Sequence, residues 1–242
     1  MSQLPEFPGA RLLRWYGRTV YGAAKLTAGP ALRRLYSVRL QGVEAVPPDG
    51  PAILAPNHLS LIDPFFVTLV VPRFITFIGK AEYFDSWQTR MFMEMGGVIP
   101  VRREDPSETS LEAGKRVLES GNLLGIFPEG TRSPDGRLYK GKTGAARMAV
   151  DVGCPVIPTG LIGTRQVMPK NAKIPGLGPR VTVKFGRPMT VPAEGKENPR
   201  VLRVFTDELM QEIARLTGQE YRHRYAYTKR VGQPTSTATL FA

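Results

Sequence analysis

From Val38 onward, short apolar runs of β-type composition alternate with longer stretches in which apolar residues recur every three or four positions. The runs at 38–41, 51–55, 75–78, 97–101, 123–127, 155–162 and 180–186 predict strands, and helices fill most of the gaps between them. One helix opens at Asp105-Pro106-Ser107-Glu108, where a cap precedes a proline at the first helical position and a glutamate at the third. A second is predicted over 142–153. A third opens at Asn198-Pro199 and carries Val201, Phe205, Leu209, Ile213 and Leu216 along one face. Strand–helix alternation of this kind predicts an α/β fold, a layered and mostly parallel sheet flanked by helices. Ligands in such folds gather at the carboxyl ends of the strands.

The two ends of the chain follow other rules. Residues 9–36 read as one or two basic amphipathic helices, bent at Gly29-Pro30. Leu12, Leu13, Trp15, Tyr16, Val20, Tyr21 and Leu26 supply the apolar side, and Arg11, Arg14, Arg18, Lys25, Arg33 and Arg34 the charge, with no acid between Arg11 and Arg39. That composition is that of a helix lying in a lipid interface; the plainer alternative is a helix packed on the domain with a solvated basic face. From Tyr221 the chain is basic and then rich in Gly, Pro, Ser and Thr, which predicts disorder. The expected organisation is therefore amphipathic, membrane-docking helices at 1–37, one layered catalytic domain at 38–218 and a basic, disordered tail at 219–242.

Charge narrows the partners. Lys and Arg number 33 against 21 Asp and Glu, a net charge of +12 in 242 residues. Such an excess attracts anions: nucleic acid, anionic lipid or phosphorylated small molecules. No nucleic-acid motif or interleaved aromatic and basic platform is present, so no nucleic acid is expected. The single cysteine, Cys154, excludes an internal disulfide and any multi-cysteine metal site, and no ligand cluster implies a metal. No secretory apolar segment is found, and the longest apolar run, from Phe65 to Ile78, is broken at Pro72-Arg73. The chain is expected to be cytosolic, though not necessarily free of membranes.

Candidate chemistry centres on Asn57-His58-Leu59-Ser60-Leu61-Ile62-Asp63-Pro64. The only other histidine, His223, lies in the basic tail. An imidazole oriented by a carboxylate is a general base near neutral pH. Five residues along a helix rotate by about 500°, which leaves the two side chains about 140° apart. A dyad therefore requires a turn over 57–63, with Asp63 as cap and Pro64 in the first turn of the following helix. The plainer alternative is a helix-capping Asp63 beside a loop histidine. Ser60 stands too near His58 to be its nucleophile, no Gly-x-Ser-x-Gly elbow exists, and Cys154 lies in an apolar context. No covalent intermediate is expected.

A second constellation, Phe127-Pro128-Glu129-Gly130-Thr131-Arg132-Ser133, follows the 123–127 run. Gly130 allows close backbone approach, Arg132 can hold a phosphate or carboxylate, and Glu129 can accept from a hydroxyl or orient the arginine. A structural Glu–Arg pair is the alternative. Cations recur at other strand ends: Arg102 and Arg103 after Val101, Lys80 after Gly79, and Lys140 and Lys142 around Gly141. Two arginines at a strand exit could form a solvated edge, but cations recurring at several strand ends suggest a phosphate-bearing substrate.

Taken together, these blocks resemble the glycerolipid acyltransferases, specifically the 1-acylglycerol-3-phosphate (lysophosphatidic acid) acyltransferases. Asn57-His58 with Asp63 matches the Asn-His-x4-Asp block; Gly97 to Arg102 is similar to the second block, with Arg103 doubling its cation; Phe127 to Ser133 matches the third; Val156, Ile157 and Pro158 resemble the apolar fourth. The resemblance covers about 40–190 and implies a glycerol-3-phosphate acyltransferase-like fold. It implies His58 and Asp63 as the catalytic pair. Arg102, Arg103, Glu129, Gly130, Thr131, Arg132, Lys80 and Lys142 would bind the phosphate and glycerol, and Val156–Pro158 would lie near the acyl chain. It implies no cofactor, an acyl-CoA or acyl-carrier-protein thioester as co-substrate, a phosphorylated glycerolipid acceptor, and docking on the cytoplasmic side of the cell membrane as a peripheral or monotopic protein.

Overall fold

The computed structural model describes residues 25, 29–80, 85, 97–101, 108–170, 172 and 174–226. Seven strands form one sheet: β1 (Arg39–Gln41), β2 (Ala52–Pro56), β3 (Ile75–Lys80), β4 (Val98–Val101), β5 (Leu123–Gly125), β7 (Val156–Ile162) and β8 (Thr182–Phe185). Their order is β1-β8-β7-β2-β5-β3-β4. From β7 to β4 all neighbours are parallel, whereas β8 runs antiparallel to β7 and β1 parallel to β8. Each strand falls on one of the seven predicted β-type runs, and the mostly parallel sheet is the one expected.

The central strand explains the layering. Ala52, Ile53, Leu54 and Ala55 are all fully buried, because successive side chains enter opposite faces of a sheet covered on both sides. Ala52 and Leu54 join Phe66, Val67 and Val70 of helix α1 (Asp63–Val70). Ile53 and Ala55 join the other cluster, built on helices α2 (Glu108–Glu119), α3 (Gly144–Val152) and α5 (Pro199–Thr217). A short helix, α4 (Thr164–Val167), follows β7.

Helix α5 begins as expected, with Asn198 accepting from Arg200 N and Pro199 in the first turn. Its buried face carries Leu202, Phe205, Leu209, Ile213 and Leu216, while Val201 is only half-buried. Cys154 is buried, which pushes its thiol up to about 11. The capping residues Asp105, Pro106 and Ser107 lie outside the described residues, as do most of 9–36 and all of 227–242.

Where the N-terminal element is described, it is packed on the domain. Residues 29–35 are helical, and Leu32 and Tyr36 pack against the α1 side of the sheet. Two of its cations turn inward: Arg33 donates to Leu69 O at 2.7 Å, and Lys25 Nζ donates to Val71 O, so both serve the carbonyls at the C-terminal end of α1. Burial, then the nearby Arg33, lowers the Lys25 ammonium to about 8.

The expected tail needs correction at its start. β9 (Tyr221–Arg222) pairs in parallel with β6 (Leu138–Tyr139) as a second, two-stranded sheet, and Ala226 is buried. The chain is held to at least that residue by main-chain bonds and side-chain contacts that no hydrophobic pattern announces.

Gly125 sets the spacing at the centre of the fold. Its neighbour on β3 is Phe77, and a Cβ at Gly125 would fall 2.2 Å from that ring, which is itself only 1% exposed. Gly125→Ala is expected to cost about 1–3 kcal/mol through overpacking, a fall in Tm of roughly 2–12 °C by calorimetry. An unchanged Tm would show that the ring has room to move.

Candidate active site

The strand that ends at Pro56 delivers Asn57 and His58 to the carboxyl edge of the sheet. Asn57 is fully buried and grips β7, accepting from Leu161 N at 2.7 Å and donating to Leu161 O at 3.0 Å. The chain then turns through 57–62 and enters α1 at Asp63. Asp63 has no exposed surface, and its Oδ2 accepts three hydrogen bonds: from Leu59 N at 2.6 Å, Ser60 N at 2.8 Å and His58 Nδ1 at 2.9 Å.

The required turn is present, but Asp63 is not the helix cap that its position suggests. The capping position is Ile62, without a side-chain bond, and the Asp63 carboxylate folds back over the preceding turn instead. Because an ionised carboxylate only accepts, the proton shared with His58 sits on Nδ1, which leaves Nε2 as the basic nitrogen. The imidazole lies 3.9 Å from the Phe127 ring at 18°, and Phe127 in turn stacks 5.5 Å from Phe77. The His58 side chain keeps 17% of its surface exposed, so the fixed ring remains accessible.

The loop after β5 holds the backbone of His58 from both sides. His58 N donates to Glu129 Oε1 at 2.9 Å, and His58 O accepts from Ser133 N at 2.7 Å. The second Glu129 oxygen accepts from Tyr139 N at 3.0 Å. Glu129 is 3% exposed, so it props the His58 turn from beneath instead of reaching outward to a ligand or to Arg132, as its position in the sequence had suggested. Burial raises its carboxyl to about 7, against the pull of the two N–H donors, with the charges of Asp63 and Asp135 adding to the rise.

Gly130 adopts φ +69°, and the Lys142 side chain crosses it so closely that a Cβ there would lie 3.0 Å from Lys142 Cε. Lys142 N also donates to Pro128 O at 2.8 Å. Thr131 and Arg132 are half-buried on the same loop, while Lys142 is exposed and Lys140 lies 5.7 Å over the Tyr225 ring. Val156, Ile157 and Pro158 sit in β7 opposite Ile53, Leu54 and Ala55, within the sheet core. Ser60 is buried and donates to Met168 O at 2.6 Å, facing away from a nucleophile's role. Among the described residues no group of His, Cys, Asp and Glu could hold a metal ion.

Lys80 ends β3, two strands from β2 and so about 10 Å along the edge; its side chain lies outside the described residues. Arg102 and Arg103 also lie outside them. The structure thus unites His58, Asp63, the 129–132 loop and Lys142. Four contributors escape sequence reasoning: Asn57, Phe127 and Ser133 lie inside the conspicuous blocks but act through contacts that only the fold creates, and Gln219 carries no local signal.

Residues 37–162 match the family described as Acyltransferase. The chain is 36% identical over 154 residues to a chloroplastic 1-acyl-sn-glycerol-3-phosphate acyltransferase of Brassica napus, covering 62% of this chain and 44% of the relative. Over 88 residues it is 32% identical to a 1-acyl-sn-glycerol-3-phosphate acyltransferase of Bacillus subtilis, covering 36% of this chain and 43% of that one. The chain therefore spans less than half the length of these relatives. Among solved structures, it resembles the 1-acyl-sn-glycerophosphate (LPA) acyltransferase of Thermotoga maritima with a TM-score of 0.66 and 25% identity, over 85% of this chain and 83% of that one.

The Glu129 carboxyl gives a pH signature. Its ordinary value is 4.5 and its folded value about 7, so between these the native state holds a proton that the unfolded chain releases. The stability Glu129 contributes is fully present below its ordinary value and is lost as pH rises to about 7. Relative to Glu129→Gln, the wild type should therefore lose up to about 3 kcal/mol across that window, read by urea unfolding at successive pH values. Parallel curves for the two proteins would exclude a perturbed Glu129.

Proposed function

Because this chain belongs to the acyltransferase family, we propose that it moves a fatty acyl group from an acyl thioester to the free hydroxyl of 1-acylglycerol-3-phosphate, forming phosphatidic acid. The observation that carries this reading is the His58–Asp63 pair, 2.9 Å apart on a turn at the carboxyl edge of a mostly parallel sheet. The relatives named for that acceptor supply the substrate class.

The chemistry follows from the two ring nitrogens. Nε2 of His58 takes the proton of the acceptor hydroxyl as its oxygen attacks the thioester carbonyl. Asp63, bonded to Nδ1, holds the tautomer and stabilises the imidazolium. Collapse of the tetrahedral intermediate breaks the C–S bond, and the departing thiolate recovers the proton from His58. The thioester is already activated, so no enzyme nucleophile is needed, in keeping with Ser60 bonded to Met168 O and the Cys154 thiol buried. Arg132 and Lys142 on the neighbouring loop, with Lys80, Arg102 and Arg103, are the cations proposed to anchor the phosphate. Val156, Ile157 and Pro158 are proposed to back the acyl chain, and Glu129 to act through the His58 backbone.

The donor is acyl-CoA or an acyl-carrier protein. Both the lipid acceptor and the net charge of +12 favour work at an anionic membrane surface, with the protein peripheral on the cytoplasmic side. No described helix is long and apolar enough to cross a membrane.

Purified protein given acyl-CoA and lysophosphatidic acid should release free thiol. His58→Ala, still folded by circular dichroism, should lower that rate by roughly 10²–10⁴-fold, the usual worth of a general base. Undiminished release would remove His58 from the chemistry. A preference for glycerol 3-phosphate over lysophosphatidic acid would overturn the acceptor assignment.

A further inference from the structure

The C-terminal helix does not end in a free tail. Gly218, at φ +72°, turns the chain toward the loop after β5, and the next residue, Gln219, enters between the two loops of the site. Gln219 Oε1 accepts from Asn57 Nδ2 at 2.7 Å, and Gln219 Nε2 donates to Gly136 O at 2.6 Å. Gly136 N donates to Ser133 Oγ at 2.9 Å, and Ser133 N donates to His58 O at 2.7 Å. Since Asn57 is bonded covalently to His58, these contacts close a ring around the backbone of the histidine.

We infer that Gln219 is a positioning residue for His58 and that residues 219–226 form a strap holding the two loops of the site in register. This rests on the reading of His58 as the base. Both amide groups have a fixed orientation. The exchange with Leu161 forces the NH2 of Asn57 toward Gln219, and the carbonyl of Gly136 requires a donor from the other side. Only a side chain that accepts at one atom and donates at the other, with enough reach, completes the ring. The strap is fastened further along: Leu138 N donates to Glu220 O and Lys140 N to Arg224 O, each at 3.0 Å, and Arg137 Nε pairs with Glu220 at 2.7 Å. Tyr139, the residue between those two main-chain bonds, is the one whose N–H holds Glu129. The strap thus reaches His58 by two routes, through Ser133 and through Glu129.

Gln219→Met keeps the length of the side chain and removes both bonds. With acyl-CoA and lysophosphatidic acid, its kcat is expected to fall about 10–100-fold, the usual consequence of a displacement near 1 Å, while both KM values stay within about twofold. In Gln219→Glu the ionised side chain still accepts from Asn57 but sets an oxygen against Gly136 O; once protonated it donates there again. Its deficit should therefore shrink as pH is lowered from about 8 toward 5, and that of Gln219→Met should not. Amide exchange at Ser133 and Gly136 should quicken in Gln219→Met, a readout independent of turnover. Wild-type-like kcat with unchanged exchange would overturn the strap. So would a rate loss matching only the loss of folded protein. Absence of thiol release from the wild type would instead refute the acyltransfer reading, and exchange alone would then decide whether Gln219 holds the ring.

Discussion

A single carboxylate oxygen, Oδ2 of Asp63, gathers the N–H groups of Leu59 and Ser60 and the Nδ1 of His58 into one point. The turn between β2 and α1 has no regular ladder to satisfy its donors, and burying them unpaired would cost on the order of 1–3 kcal/mol each. Asp63 resolves that difficulty and orients the imidazole with the same atom. Folding of the turn and readiness of the base are therefore one event. The other supports, Phe127 against the ring and Glu129 and Ser133 on the backbone, fix an arrangement that this oxygen creates.

The layered sheet could be read from the chain because its central strands are buried on both faces, so that β2, β5 and β7 are near-continuous apolar runs such as Ala52-Ile53-Leu54-Ala55, whereas the edge strand β1 is exposed. Helix α5 was equally plain, with a capping asparagine and a regular apolar face. The β6–β9 pair could not be read, since two-residue strands have no period by which to recognise them. The geometric requirement for a turn at 57–63 was legible from the five-residue spacing, yet the sequence suggested a capping role for Asp63. Which N–H groups a carboxylate collects depends on the backbone angles of the turn, and residue identity does not encode those.

Glu129 illustrates the same limit at longer range. Within its block it looks like a ligand-facing acid, because the neighbouring Gly130 and Arg132 suit a binding loop. Its oxygens are instead taken by N–H groups of residues 71 positions before it and 10 after it. Gln219 was more remote still, since both of its partners lie more than 80 residues away in the chain. The side chains that perform chemistry were conspicuous by type and spacing, whereas those that hold them in place are defined only by the folded contacts.

The inward turn of Lys25 and Arg33 ties these two residues mechanically to the site. Both cations grip the far end of the helix whose first residue is Asp63. That helix is eight residues long, roughly 12 Å, and rigid on this scale. The segment and the imidazole therefore share one frame of reference. A displacement of Lys25 or Arg33 is thus carried, along this short rod, to the carboxylate that holds the imidazole.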